Sequence, residues 1–124
     1  MLRHLWNALT AVMTSWYQGK LFIEHSLSIS HDSLHMLVGV LLWLAIGALS
    51  RRPLTEWRPW LWLFAAILWN ETVDLWVEQW PDPGRQYGES AKDLFLTMAV
   101  PTIMMFAARV RPQLFHGSGR RRAR

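Results

Sequence analysis

Cysteine is absent from this chain, and charged residues are few. Charged side chains make up only 18% of the 124 residues, whereas about a quarter is usual for a soluble domain. Because the chain has no cysteine, a disulfide framework and thiol chemistry are both excluded. The length leaves room for one domain.

Hydrophobic residues and tryptophan are abundant, at 52% of the chain and nine tryptophans. Long apolar runs predict three membrane-spanning helices, at about 33–50, 57–80 and 90–110. The second run covers about 36 Å at ~1.5 Å per residue, enough for a hydrocarbon core of ~30 Å. Tryptophans near both of its ends are typical of a membrane interface, which favours this interpretation over a soluble helical bundle. We therefore predict an all-α membrane protein whose three-span domain covers residues 19–110.

The first 18 residues have apolar side chains at helical spacing, among them Leu2, Leu5 and Leu9. This pattern predicts an amphipathic helix that lies on the membrane surface, and a plain packing helix is the alternative. Residues 20–33 are predicted to form a connector in which Ser30 caps the next helix.

The segments after the second span are punctuated by proline, glycine and arginine. Pro81–Glu89 is predicted to be a polar turn, after which Ser90 caps the third span with Asp93 three residues further on. The final segment, 111–124, predicts a flexible basic cytoplasmic tail. Attraction to anionic lipid headgroups accounts for its arginines without a nucleic-acid partner.

Arginine is distributed unevenly between the two predicted sides of the membrane. Three arginines lie in the connector 51–58 and six lie from Arg109 onwards, against four lysines and arginines on the other side. Nine against four predicts that the connector and carboxyl terminus are cytoplasmic and the amino terminus is outside. We therefore expect a multi-pass protein of a bacterial inner membrane, oriented N-out/C-in.

This topology places polar residues from all three spans at the same, periplasmic face. At ~100° per residue, the acids of the second span lie on one side of that helix and its tryptophans on the other. Ionisable groups near a bilayer usually face each other or a wet cavity, so we predict a periplasm-facing acidic and histidine-containing pocket. The pocket acids are Glu71, Asp74, Glu78 and Asp93, and the opposite stripe is Trp62, Trp69, Trp76 and Trp80.

Two kinds of chemistry fit these residues. In one, His31, His35 and Asp32 ligate a divalent metal ion as the cofactor. The four pocket acids, Glu71, Asp74, Glu78 and Asp93, then act as further ligands or as catalytic acids and bases. In the other, Arg85 and Lys92 bind a lipid headgroup. The structural alternative is that Asp32 and Asp93 only cap their helices.

Over about 30–102 the chain resembles the VanZ-like family of small polytopic envelope proteins. That family has an Asp and a His opening one helix, a Glu ending another, an Arg in the turn, and an Asp followed one turn later by an Asn. The residues in those places are Asp32, His35, Glu78, Arg85 and Asp93, with Thr97 replacing the Asn. The family is linked to glycopeptide resistance, and the resemblance implies an envelope protein without assigning a reaction.

The segment Glu71-Thr-Val-Asp74-Leu-Trp-Val-Glu78 is also similar to a helix of the prokaryotic diacylglycerol kinase family, and Ala91-Lys92-Asp93 to its Ala-Lys-Asp. That family also has a surface helix and three spans. Asp74 replaces its key Asn, and its site faces the cytoplasm, whereas the arginine distribution places this pocket outside.

Three functional hypotheses follow from the sequence. The first is an envelope protein whose pocket binds a cation or lipid headgroup. The second is a non-enzymatic accessory subunit of a larger membrane assembly, associated with a pigment or haem, in which the Trp62–Trp69–Trp76 stripe is the interaction face. The third is a lipid kinase. The bilayer is a partner in all three, and a homo-oligomer or larger membrane complex fits each of them.

Overall fold

The computed structural model describes residues 1–27 and 30–114, and every regular element within those ranges is helical. The all-α prediction is therefore confirmed for this part of the chain. The elements are α1 (Leu2–Leu27), α2 (His31–Ser50), α3 (Trp57–Val77) and α4 (Pro83–Val110), followed by a short 3₁₀ turn, Pro112–Leu114. The predicted basic tail lies outside the described residues from 115 onwards.

Helix α2 begins and ends close to the predicted residues. The Ser30 side chain accepts a hydrogen bond from the Ser33 backbone N–H, so the predicted cap is confirmed. At the other end Arg51 adopts a left-handed conformation with φ of 53°, and its N–H donates to the Ala48 carbonyl. Pro53 follows and prevents the helix from continuing.

Helix α1 is longer than predicted. It continues past residue 18 to Leu27, so the connector predicted for 20–33 is wrong over most of its length. Gly19 alone does not end the helix, because one glycine costs only ~1 kcal/mol relative to alanine. Side chains beyond it, including Lys20 and Glu24, make contacts with other helices that favour continued helix.

The junction between α3 and α4 also differs from the prediction. Helix α3 ends at Val77 and Glu78 is already extended, whereas the prediction continued the helix to residue 80. Helix α4 starts at Pro83, with the Asp82 carboxylate accepting from the N–H groups of Gly84 and Arg85. Asp-Pro is a strong start signal, because aspartate caps well and proline at the first helical position sacrifices no hydrogen bond. Ser90 and Asp93 therefore lie inside the helix and do not cap it.

Helices α2, α3 and α4 pack against one another, with α3 antiparallel to both α2 and α4. Helix α1 packs against α3. A small core lies between the three bundle helices, formed by Trp43, Leu63, Ile67, Met98 and Met105. Many other large apolar side chains of these helices remain exposed, among them Leu41, Leu61, Leu68, Ile103 and Phe106. Two helices, α2 and α4, are long and apolar enough to cross a membrane.

Helices α2 and α4 approach closely at Gly39. A Cβ atom built there would lie 2.1 Å from the Thr97 backbone oxygen, well inside van der Waals contact. Residue 101 is a proline, so it has no N–H to donate to that carbonyl one turn earlier. The carbonyl instead faces the glycine of the neighbouring helix, a place where Cα–H···O contacts form.

The chain order separates two chemically different ends of the bundle. At the end holding the α2–α3 connector, the Arg109 guanidinium donates to the Thr55 carbonyl at 2.6 Å and lies over the Trp57 ring. At the opposite end, His31 lies beside Asp93 and Lys92 pairs with Asp32. Most of the described arginines therefore lie at one end, and most of the carboxylates lie at the other with His31 and His35.

Gly39→Ala is expected to lower the thermal midpoint of the detergent-solubilised protein. A new Cβ would meet backbone, which cannot move aside as a side chain can, and overpacking of this kind costs ~1–3 kcal/mol. Gly88→Ala is the matched control, because nothing lies within 4 Å of a Cβ at that position. Equal midpoints for Gly39→Ala and the wild type would contradict the close packing of α2 on α4.

Candidate functional site

A cavity of about 240 Å³ lies where α3 ends and α4 begins. The residues that line it are His31, Glu71, Asp74, Glu78, Trp80, Gln86, Glu89, Ser90 and Asp93. The structure thus brings together all four acids predicted for the site, with one of the two predicted histidines at the wall. Since several carboxylates face one small space, the cavity attracts positive charge.

Glu71 is the most deeply buried carboxylate of the cavity. The residue is only 4% exposed, and the Asn70 side-chain amide donates to its Oε1 at 3.1 Å. No lysine or arginine pairs with it in the part of the chain that the structure describes. A buried carboxylate with so little compensation is expensive to keep charged unless a cation lies beside it.

Lys20 of α1, predicted to lie in a connector, pairs with one of the acids that line the cavity. Its ammonium group donates to both carboxylate oxygens of Asp74 and, at 3.1 Å, to the Asn70 Oδ1. The Trp16 indole N–H donates to the same Asn70 oxygen. One protein-borne ammonium group therefore already occupies part of the acidic surface.

Glu78 accepts hydrogen bonds from two aromatic residues. The Tyr17 hydroxyl donates to one carboxylate oxygen, and the Trp80 indole N–H donates to the other at 2.7 Å. Partial burial and this neighbouring carboxylate raise the pKa of Tyr17 to about 12, so the phenol stays protonated and remains a donor. The extended backbone of Glu78, beyond the helix end, lets its side chain meet both rings.

Helical spacing could have identified the α1 contribution. Met13, Tyr17, Lys20 and Glu24 recur every three or four residues and form one stripe that faces the other helices. The helix predicted for residues 1–18 ends before this stripe is complete. The polar members of the stripe were therefore missed as site residues.

Two imidazole rings and one carboxylate meet on the α2–α4 side of the cavity. His31 Nε2 lies 3.0 Å from Asp93 Oδ2, and His35 Nε2 lies 3.6 Å from the same oxygen. Asp93 is 7% exposed. The side-chain donors of all three residues fall within 4.8 Å of one another, so they are a candidate metal-binding group.

Asp32, a predicted metal ligand, faces elsewhere. Its carboxylate lies 3.1 Å from the Lys92 ammonium group, which also pairs with Glu89 at 2.6 Å. In the structure the carboxylate beside the two histidines is that of Asp93, whereas the sequence predicted Asp32 there. The reason is local, since successive residues at the start of α2 project about 100° apart around the helix.

The predicted headgroup-binding residues differ in their surroundings. Lys92 is engaged by two carboxylates, whereas Arg85 is exposed, with its guanidinium 5.9 Å from the Trp80 ring centroid at the cavity rim. Of these two residues, only Arg85 therefore presents a positive charge without a carboxylate partner in the described part of the chain.

The tryptophans predicted as an interaction face lie on the outside of α3. Trp62, Trp69 and Trp76 are each about half exposed, and Trp76 packs edge-on against the Trp6 ring of α1 with centroids 5.3 Å apart. The indoles of Trp62, Trp69 and Trp76 thus lie on a different side of α3 from the acids, as the helical period predicted. Trp80, predicted to continue this stripe, lies instead in the cavity wall beside Glu78, because the helix has already ended at Val77.

The chain matches no protein-family model, no curated protein and no solved structure. The resemblances to VanZ-like proteins and to diacylglycerol kinases remain predictions from the residues quoted above.

Lys20→Met is expected to loosen α1 from the bundle. The substitution keeps the aliphatic stem but removes charged hydrogen bonds worth ~1–3 kcal/mol, so amide exchange in α1 should accelerate roughly tenfold while α2–α4 exchange as in the wild type. Hydrogen–deuterium exchange in detergent measures this. Gln18→Met, at an exposed position, is the control. Unchanged protection of α1 would show that Lys20 does not anchor it.

Proposed function

We propose that this chain is a small polytopic protein of a bacterial inner membrane that binds a cationic ligand in a pocket facing the periplasm. The observation that carries the proposal is the cavity wall, where Glu71, Glu78 and Asp93 have no lysine or arginine partner among the described residues. Glu71, Asp74, Glu78 and Asp93 act as ligand-binding acids in this proposal.

The apolar surface supports a membrane location. Helices α2 and α4 are long and apolar enough to cross a membrane. Helix α3 has 21 residues, about 32 Å at ~1.5 Å per residue, and it exposes Leu61, Trp62, Leu68 and Trp69. A monomeric soluble protein rarely exposes so much contiguous apolar surface. We take α3 as the third span, with its terminal acids at the water-facing end.

The contacts of α1 support a position on the membrane surface. Trp6 and Tyr17 are eleven residues apart, about 16 Å along a helix, yet they touch Trp76 and Glu78, which are two residues apart. Helix α1 therefore crosses the end of α3 and does not run beside it. Its exposed apolar strip, which includes Leu5, Leu9 and Val12, is suited to the headgroup boundary.

The separation of charges between the bundle ends supports the orientation. Arg51, Arg52, Arg58, Arg109 and Arg111 lie at the end away from the pocket. By the positive-inside rule that end is cytoplasmic, so the pocket opens to the periplasm. The resemblance to VanZ-like envelope proteins is consistent with this placement.

A zwitterionic phospholipid headgroup fits the pocket better than an anionic one. The acids repel phosphate, but they bind an ammonium group, as Asp74 and Asn70 bind that of Lys20. Arg85 at the rim is placed to meet the phosphate of a headgroup whose ammonium group lies inside. Phosphatidylethanolamine has both groups.

Glu71→Gln is expected to weaken retention of phosphatidylethanolamine roughly tenfold or more, because a charged hydrogen bond worth ~1.5–3 kcal/mol is lost. The thermal midpoint should not fall, since the neutral amide is cheaper to bury than the carboxylate. Native mass spectrometry of the detergent-purified chain, with phosphatidylglycerol as the competing lipid, measures retention.

Glu56→Gln is the matched control, because Glu56 pairs with Arg52 at the opposite end of the bundle. Equal retention of phosphatidylethanolamine and phosphatidylglycerol by the wild type, or equal loss of the lipid in both variants, would contradict a headgroup site at Glu71.

The orientation can be tested by labelling, because the wild type has no cysteine. Gln79 and Gln113 are both exposed and lie at opposite ends of the bundle. A membrane-impermeant maleimide should label Gln79→Cys in intact spheroplasts and Gln113→Cys only after lysis. The reverse pattern would overturn the orientation and favour the lipid-kinase alternative, whose site faces the cytoplasm.

The second candidate function is that of an accessory subunit in a larger membrane assembly. Trp62 and Trp69 favour it, because two half-exposed indoles on one helix face offer large contact area to a partner helix. In that case Trp62→Ala/Trp69→Ala would abolish co-purification of a partner, whereas Glu71→Gln would leave it unchanged.

A further inference from the structure

We propose that His31, His35 and Asp93 form a site for one divalent transition-metal ion of the zinc type. The inference deepens the proposed function, since the ion would enter through the same cation-attracting cavity. Unlike the ammonium site on α3, this site is built by α2 and α4.

The separations between the donor atoms suit coordination of one small ion. Zinc bonds of ~2.0–2.1 Å in a tetrahedral arrangement place ligand atoms about 3.3 Å apart. The two imidazole Nε2 atoms lie 3.0 and 3.6 Å from Asp93 Oδ2, on either side of that value. Small side-chain movements would therefore complete the site.

Hydrogen bonds orient both rings for coordination through Nε2. The Thr97 hydroxyl donates its only hydrogen to the Asp93 carbonyl at 2.7 Å, so it accepts from His35 Nδ1 at 3.0 Å. His31 Nδ1 lies 3.1 Å from a Glu24 carboxylate oxygen, which can only accept. With hydrogen on each Nδ1, each Nε2 lone pair is directed to the carboxylate, and second partners of this kind are typical of metal-bound histidine.

A second observation points independently to a missing ligand. Asp93 Oδ1 is buried and has no hydrogen-bond partner within the described part of the chain. The whole residue is only 7% exposed. Buried carboxylate oxygens nearly always have a partner. A metal ion that binds both oxygens of this carboxylate would supply one.

The donor set selects the class of ion. Two imidazoles with one carboxylate suit zinc and its neighbours, whereas calcium and magnesium prefer shells made of oxygen. Three protein ligands leave one position of a tetrahedral ion open. His31 and Asp93 line the cavity, so that position faces the space where a headgroup would sit.

Equilibrium dialysis of the full chain in detergent against Zn²⁺ tests the site. We expect one Zn²⁺ per chain in the wild type, and a loss of affinity of at least roughly 100-fold in His35→Gln and Asp93→Asn. Thr97→Val should cost roughly 10- to 100-fold, the usual effect of removing an outer hydrogen bond. His4→Ala and Asp32→Asn are the controls, because neither residue belongs to the cluster.

Visible absorption of the Co²⁺-loaded protein supplies a second readout, since bands typical of tetrahedral Co²⁺ should appear in the wild type and vanish in Asp93→Asn. The Gln amide in His35→Gln can still donate to the Thr97 hydroxyl, so this variant should lose the imidazole ligand without unfolding. Thermal melting checks that it remains folded. Unchanged Zn²⁺ affinity in His35→Gln and Asp93→Asn, or no stoichiometric Zn²⁺ in the folded wild type, overturns the metal site.

Lipid retention measured on the same preparations distinguishes this inference from the proposed function. Phosphatidylethanolamine retained through Glu71 without bound Zn²⁺ would overturn the metal site alone. Stoichiometric Zn²⁺ lost in Asp93→Asn without lipid selectivity would support the metal site and overturn the headgroup proposal alone.

Discussion

Desolvation of carboxylates is the constraint on which the rest of this structure depends. The acids of α3 and α4 lie at the end of an apolar bundle, where an unpaired charge is costly to bury. Several elements supply donors that offset this cost: the Lys20 ammonium group and the Tyr17 hydroxyl from α1, and the Trp80 indole after α3. Two imidazoles from α2 lie beside Asp93. Glu71 and one oxygen of Asp93 have the fewest hydrogen-bond donors to offset this cost: Glu71 has one amide donor, and Asp93 Oδ1 has no partner within the described residues.

The packing of α2 on α4 places the histidines against Asp93. His35 lies one turn before Gly39, and Asp93 lies one turn before Thr97. Because the missing side chain at Gly39 lets the Thr97 backbone come close, the preceding turns of both helices also come close. The hydrogen bond between His35 and the Thr97 hydroxyl follows from this approach. Gly39 and Pro101 thus allow the close approach of the helices that brings His35 to the Thr97 hydroxyl.

Helix α1 has two roles in this arrangement. One stripe of its surface, with Tyr17 and Lys20, supplies donors to the acids of α3, while a neighbouring stripe remains apolar and exposed. In the proposed membrane placement, a helix that crosses the end of the bundle can present both stripes at once, because water, lipid headgroups and the pocket would all meet at that level. The position of α1 and the chemistry of the pocket therefore depend on each other.

The sequence by itself determined the features that depend on local physics. Helical periodicity predicted the helices and the opposite placement of acids and tryptophans on α3, and Ser30 predicted the start of α2, because both depend on neighbours within a few residues. Only the tertiary structure decided that Lys20 pairs with Asp74 across 54 residues and that Asp93, not Asp32, joins the histidines. Such pairings depend on how far apart the helices pack and which way each is rotated, and these are settled by contacts such as the one at Gly39, which no pattern along a single helix contains.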